Sequence, residues 1–147
     1  MNEDMAPVMA AKFIELCTGT LAPPGYLGSK VFPHEIVHNH RSGSKSIPSM
    51  RGGQIDDHEN FLFIADVSSV PAKLGSILFT VQEENDWGTL VSPDFQILLA
   101  DPQWDTNIVN TIFGHVVVGF NVLDRISKIQ LTNATKDFVT IVECGVI

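Results

Sequence analysis

The chain has 147 residues, 44% of them hydrophobic and 18% charged, a composition typical of one globular domain spanning residues 1–147. Its formal net charge of −8 argues against nucleic acid as a partner, because a negative field repels phosphate groups. No apolar run approaches the roughly 20 residues that span a bilayer, and the N-terminus MNEDMAP is acidic, unlike a signal peptide. We therefore expect an intracellular protein that binds neither nucleic acid nor membrane.

The first predicted element is an amphipathic helix that begins at Pro7, a favourable first helical residue, and ends at Gly19. Its apolar face repeats at i, i+4, i+7 and i+8 and consists of Met9, Phe13, Leu16 and Cys17. Proline and glycine predict a turn-rich connection over Leu21–Ser29, and serine and glycine predict a loop over Arg41–Ser49. Cys17 and Cys144 are too few for a disulfide scaffold, so buried reduced thiols are expected.

Short apolar runs separated by turn-forming residues predict strands. They cover Phe61–Ala65, Ser76–Val81, Phe95–Leu99, Ile112–Val118 and Phe138–Val142. A second helix is predicted after Asn121, which is a suitable N-cap, with an apolar stripe that includes Leu123 and Ile126. The spacers between strands are too short for crossover helices, so the pattern favours a mostly β, antiparallel barrel, closed or nearly closed, with two helices.

A series of short motifs extends along nearly the whole chain. In chain order they read FIELCTG (13–19), GYLGS (25–29), GG (52–53), ENF (59–61), SIL (76–78), Trp104, FGHVVVG (113–119) and VTIVECG (139–145). In their order and context these motifs resemble those of cyclophilins. The resemblance implies an antiparallel barrel closed at its ends by two helices. It also implies peptidyl-prolyl isomerase chemistry, in which an arginine donates hydrogen bonds to the twisted prolyl amide and an apolar pocket holds the proline ring.

Within this resemblance the catalytic arginine is missing. The family's Phe-His-Arg-Val-Ile-Pro segment corresponds to FPHEIV (32–37), which contains no guanidinium, and a histidine is neither permanently charged nor forked. Arg51 stands where the family has a glutamine before its glycine pair. We therefore assign no catalytic residue, although Arg51 is a candidate substitute.

The proline pocket also differs from the family pattern. Two consecutive phenylalanines correspond to Phe95 and Gln96, and a supporting Ala-Asn pair corresponds to Val81 and Gln82. The leucine after Trp104 becomes Asp105, and the pocket's histidine becomes Asn110. Each unpaired polar group in an apolar wall costs about 1–3 kcal/mol. The groove remnants are thus Arg51, Val81, Gln82, Phe95, Gln96, Trp104, Asp105 and Asn110.

A competing interpretation comes from HEIVH (34–38), which fits the zinc-peptidase signature H-E-x-x-H, with His58 or Glu59 as conceivable third ligands. That signature requires a helix. The resemblance places a strand there, which would set His34 and His38 about 13 Å apart, too far for one ion. Loose metal binding by His34, His38 and His40 is a weaker possibility. We expect no metal and no cofactor.

The leading hypothesis is a catalytically degenerate cyclophilin-like domain that acts as a protein-interaction or assembly module. A weak isomerase or proline-peptide binder is the alternative, and a zinc peptidase is remote. The resemblance implies a β-hairpin before the first helix. Because Met1–Asp4 already adjoin that helix, we expect this hairpin to be absent, either because the sequence is a fragment of a longer chain or because another element fills its place. Losing two strands would open the barrel and leave an edge for a protein partner or a second copy.

Overall fold

The structure is a computed structural model that describes residues 6–21, 23, 25–38, 46–55, 58–66, 70–102, 111–129 and 139–147. Within these ranges the helices are α1 (Pro7–Thr18) and α2 (Phe120–Ser127), with a 3-10 turn at His58–Phe61. The strands are β1 (Lys30–His38), β2 (Ser46–Gln54), β3 (Phe63–Ala65), β4 (Ser76–Asn85), β5 (Gly88–Leu98), β6 (Ile112–His115) and β7 (Val139–Thr140). No helix among the described residues has the length and apolar character needed to cross a bilayer.

Helix α1 has the bounds that its sequence predicts. Pro7 occupies the first turn, and Gly19 ends the helix with a φ of 76°, a conformation that glycine adopts without strain. The free N–H groups of Val8 and Met9 donate to the carboxylate of Asp66, at 3.0 and 3.2 Å. A distant side chain therefore caps the helix, where a local cap is absent.

All described strand pairs are antiparallel, which confirms the predicted mostly β architecture. The sheet order is β6-β4-β5-β2-β1-β7, and β3 pairs with β5 off this path. Across the described residues β6 pairs only with β4, and β7 pairs only with β1. The barrel is therefore open between β6 and β7 in this part of the chain.

Aromatic rings fill the core between the sheet and α1. Phe79 and Phe113 stack at 4.5 Å between centroids, and Phe13 of α1 contacts both. Tyr26 and Phe95 join this cluster, and the buried Tyr26 hydroxyl donates to the carbonyl of Pro93. This core fixes α1 against one face of the sheet.

Several predicted strands have other bounds in the structure: the strand predicted over Ile112–Val118 ends at His115, and the one predicted over Phe95–Leu99 begins at Gly88. Two other local predictions were wrong in kind. Residues 46–49 belong to β2 rather than to a loop, although residues 41–45 lie outside the described part of the chain. The segment SIPSMRGGQ has weak intrinsic strand preference, and pairing with β1 and β5 on both sides imposes the extended form. Helix α2 begins at Phe120 after Gly119, so Asn121 is not its N-cap, and no side chain caps it.

Candidate functional site

The two faces of the central strands carry different side chains. Along β5, Phe95 and Ile97 pack into the core against α1, whereas Asp94 and Gln96 alternate with them and point to the opposite face. Register pairs Arg51 of β2 with Gln96, which places these two side chains on the same opposite face. We call this face, around Arg51, Asp94 and Gln96, the outer face.

The guanidinium of Arg51 lies between two carboxylates. Its Nη2 is 3.2 Å from Oε1 of Glu35 on β1, and its Nη1 is 3.7 Å from Oδ2 of Asp94 on β5. The guanidinium carbon also lies 5.1 Å from the ring centroid of Phe32. Arg51 therefore serves as the cation that joins three adjacent strands, and its terminal nitrogens face carboxylates.

Asp94 is the deeper of the two carboxylates, with only 6% of the residue exposed. The Ser92 hydroxyl donates to its Oδ1 at 2.6 Å, and Arg51 approaches its Oδ2. A buried carboxylate needs such partners because desolvation penalises an unpaired charge. Moving the Arg51 guanidinium toward any ligand would deprive Asp94 of the only cation paired with it among the described residues.

The carboxamide of Gln96 is buried and its hydrogen-bonding groups are in use. Its Nε2 donates to the hydroxyl of Ser49 at 3.1 Å and to the carbonyl of Ile36 at 3.3 Å. Its Oε1 accepts a hydrogen bond from the Thr80 hydroxyl at 3.4 Å. Gln96 therefore crosslinks strands β1, β2, β4 and β5, and its amide presents a polar surface rather than an apolar one.

Phe95, the neighbour of Gln96, belongs to the core. Its ring packs edge-on against Phe13 and Tyr26 and covers the glycine pair of β2. A Cβ on Gly52 would lie 2.8 Å from the Phe95 ring, and one on Gly53 would collide with Tyr26. The glycine motif thus exists to let two rings approach the β2 backbone, and Phe95 does not line the outer face.

The other predicted groove residues are not gathered around Arg51. Val81 packs against the core, and Gln82 is exposed at a register shift on β4, beyond the Thr80 that reaches Gln96. Trp104, Asp105 and Asn110 lie outside the described residues. Of the predicted set, the structure therefore brings together Arg51 and Gln96 on the outer face, with Phe95 behind them.

The HEIVH segment lies on strand β1, not on a helix. A zinc peptidase needs its two histidines one helical turn apart on the same face of a helix. In an extended strand residues four positions apart lie much farther from each other, so His34 and His38 do not have this spacing. His34 instead donates its Nε2–H to the carbonyl of Ile129 at 2.6 Å, and Glu35 pairs with Arg51. Within the described ranges no group of three His, Cys, Asp or Glu residues is placed to hold a metal ion.

A family model for cyclophilin-type peptidyl-prolyl cis-trans isomerase/CLD matches residues 1–146. The chain belongs to the cyclophilin family. A crystal structure of the Mimivirus cyclophilin is similar, with a TM-score of 0.62 and 19% sequence identity over 97% of this chain and 76% of that one. At that identity the viral cyclophilin supports the cyclophilin fold alone. A comparison with curated proteins found no match.

In this cyclophilin-family domain the charges on the outer face differ from the pattern that the resemblance implies. The arginine segment of the family contributes an acid, Glu35, and the arginine comes from the neighbouring strand as Arg51. The sequence alone does not identify Glu35 and Asp94 as partners of Arg51. The only available signal is the alternation of Asp94 and Gln96 with Phe95, which indicates a polar face on β5.

Proposed function

We propose that this cyclophilin-family domain is an interaction and assembly module that does not catalyse prolyl isomerisation. The observation that carries the proposal is the guanidinium of Arg51 held between Glu35 and Asp94. An isomerase must aim free hydrogen-bond donors at the amide that twists in the transition state. The Nη groups of Arg51 are directed at its own carboxylates, so they are not preorganised for a substrate.

The polar surface at Gln96 supports the same proposal. A proline ring gains affinity by burying its carbons against apolar side chains. Here its wall would be a carboxamide that is already bonded to Ser49, Ile36 and Thr80. Pushing that amide aside breaks hydrogen bonds without replacing them, at about 1–3 kcal/mol for each buried group left unpaired.

The isomerase assay tests this directly. The interconversion rate of a Xaa-Pro peptide is measured by NMR exchange with the domain, with Arg51→Ala and with an active cyclophilin as the positive control. We expect the domain and the variant to give the same rate as peptide alone. A catalysed rate that falls in Arg51→Ala, in a variant whose circular dichroism matches the parent, would contradict the proposal. It would show that Arg51 donates the catalytic hydrogen bonds to the prolyl amide.

The surface that we propose for assembly is the β6 edge, defined as strand β6 together with Val117, Val118 and Phe120. Across the described residues β6 pairs only with β4, but Ile112 and Phe113 are fully buried, so the part of this surface that a partner can reach is the segment after the strand. Val117 and Val118 are 75% and 86% exposed, and Phe120 is also exposed. Exposed apolar side chains clustered in this way favour an interface with another protein surface.

A second copy of the chain is the proposed occupant of this edge. Two identical apolar surfaces can pack on each other around a twofold axis, so each is complementary to itself. The segment IFGHVVVGFNVL (112–123) contains no Asp, Glu, Lys or Arg in a chain of net charge −8. Copies that repel each other elsewhere would therefore meet at an uncharged surface.

Light scattering across a concentration series tests the assembly. We expect a dimer that dissociates in Val118→Lys, because the added charges would face each other at the edge. Trp87→Lys is the matched control, since Trp87 is 85% exposed but lies on the hairpin between β4 and β5. A parent protein that stays monomeric, or a dimer that Val118→Lys leaves intact, would refute this occupant.

A further inference from the structure

The fold brings together two cysteines that lie 127 positions apart in the sequence. Cys17 is in the last turn of α1, and Cys144 follows β7. The Sγ–H of Cys144 donates to the backbone carbonyl of Cys17 at 3.2 Å, so the sulfur of one cysteine contacts the other residue itself. Both cysteines are reduced in this structure.

Both side chains are partly buried and pack against the same core cluster. The segment that carries Cys144 is held to the turn before β1 by two backbone hydrogen bonds, from Gly28 to Ile141 at 2.7 Å and from Ile141 to Ser29 at 2.9 Å. The same turn is bonded to α1, because the N–H of Tyr26 donates to the carbonyl of Leu16 at 3.0 Å. Burial, and next the nearby Cys144, raise the pKa of Cys17 to about 11. Core packing and backbone hydrogen bonds therefore keep Cys17 and Cys144 close to each other in the folded chain.

We propose that Cys17 and Cys144 form an oxidation site that a small-molecule disulfide, such as oxidised glutathione, converts to an intramolecular disulfide. The thiolate of one cysteine attacks a sulfur of oxidised glutathione and releases one reduced glutathione. The other cysteine then loses its proton and its thiolate attacks the protein sulfur of the mixed disulfide, which releases a second molecule of reduced glutathione. Two protein thiols are oxidised, and one glutathione disulfide is reduced to two thiols.

The crosslink would attach the end of α1 to the segment after β7. Natural disulfides join residues whose Cα atoms lie about 4.4–6.8 Å apart. The contact of the Cys144 sulfur with the Cys17 carbonyl places the two residues side by side, as a crosslink requires. A bond between residues so distant in sequence restricts the unfolded chain strongly. We expect the melting temperature to rise by about 10 °C on oxidation.

The test incubates the purified chain with oxidised glutathione under native conditions and measures its intact mass. We expect the loss of two hydrogen atoms, a linked peptide pair containing residues 17 and 144, and the higher melting temperature. Reduction should reverse all three. Oxidised samples of Cys17→Ser and Cys144→Ser should lack the linked peptide and the shift.

Three results would overturn the proposal. One is a stable glutathione adduct on each cysteine with no linked peptide, and another is a disulfide between two chains. The third is the absence of any reaction under native conditions, combined with full oxidation only after unfolding in urea. Cys144→Ala, which keeps the residue small and apolar, serves as a second variant if either serine substitution reduces folding.

Discussion

The two faces of strands β2 and β5 differ in a way that separates folding from chemistry. On the core face, Phe95 packs against Phe13 and Tyr26. On the outer face, only one residue away, Asp94 and Gln96 bond to polar groups of neighbouring strands. The same backbone therefore supports an aromatic core on one side and, on the other, an ion-pair and amide network next to a second buried cluster. That cluster is aliphatic and consists of Val37, Ile47, Ala72, Leu78, Leu98 and Ile112.

The residues that fix the family's fold and the polar network around Arg51 lie on opposite faces of the same sheet. The aromatic cluster and the glycine pair specify the cyclophilin fold, because rings and close backbone contacts tolerate few substitutions. The outer face can exchange residues provided that each buried polar group keeps a partner. The Nη groups of Arg51 meet that condition through Glu35 and Asp94, whereas its buried Nε has no hydrogen-bond partner among the described residues.

The largest expected effect is on the core face. Phe79→Ala removes a fully buried ring that stacks on Phe113, so we expect the free energy of unfolding to fall by about 3–5 kcal/mol. Thr80→Ala, the next residue and on the outer face, should cost about 1 kcal/mol because it breaks one long hydrogen bond. Urea titrations measure both. Equal losses would contradict the contrast between the faces.

The second prediction concerns the two ion pairs of Arg51. Double-mutant cycles with Arg51→Met should give a coupling of about 1–3 kcal/mol with Asp94→Asn, since that carboxylate is buried. With Glu35→Gln the coupling should be about 0.2–1 kcal/mol, because both side chains are partly solvated. The larger coupling is thus expected for the longer ion pair, because Arg51 is 3.7 Å from Asp94 and 3.2 Å from Glu35. A larger coupling with Glu35 would show that proximity outweighs burial.

The smallest expected effect is alkaline destabilisation originating on the core face. Burial raises the pKa of Cys17 from 9.0 to about 11, and burial raises the pKa of Tyr26 well above 10.0. The folded state therefore holds these protons more tightly than the unfolded state. Their contribution to the free energy of unfolding is fully present below pH 9 and is lost as the pH rises toward 11. Melting temperatures measured under reducing conditions should show this fall, with a shallower slope in Cys17→Ser. An unchanged slope would mean that the Cys17 thiol does not contribute.

Several features could be predicted from the sequence because their causes are local or periodic. Pro7, Gly19 and the apolar spacing between them define α1. Strand β4 begins where the apolar run begins, at Ser76, although it continues through polar residues to Asn85 because β5 supplies the pairing. The glycine and aromatic motifs indicate the cyclophilin family, which the family model confirms.

The sequence by itself determined the family, the antiparallel β architecture and the absence of an arginine from the segment FPHEIV (32–37), since residue identity and periodicity suffice for these. Only the tertiary structure decided that Glu35 and Asp94 hold Arg51, that Asp66 caps α1 and that Cys144 contacts Cys17. The contacts of Asp94, Asp66 and Cys144 join elements that are not consecutive in the chain, and the Glu35–Arg51 pair joins neighbouring strands through a register that contains irregularities. Such contacts depend on strand register and on the core that sets it, which no local pattern of residues encodes.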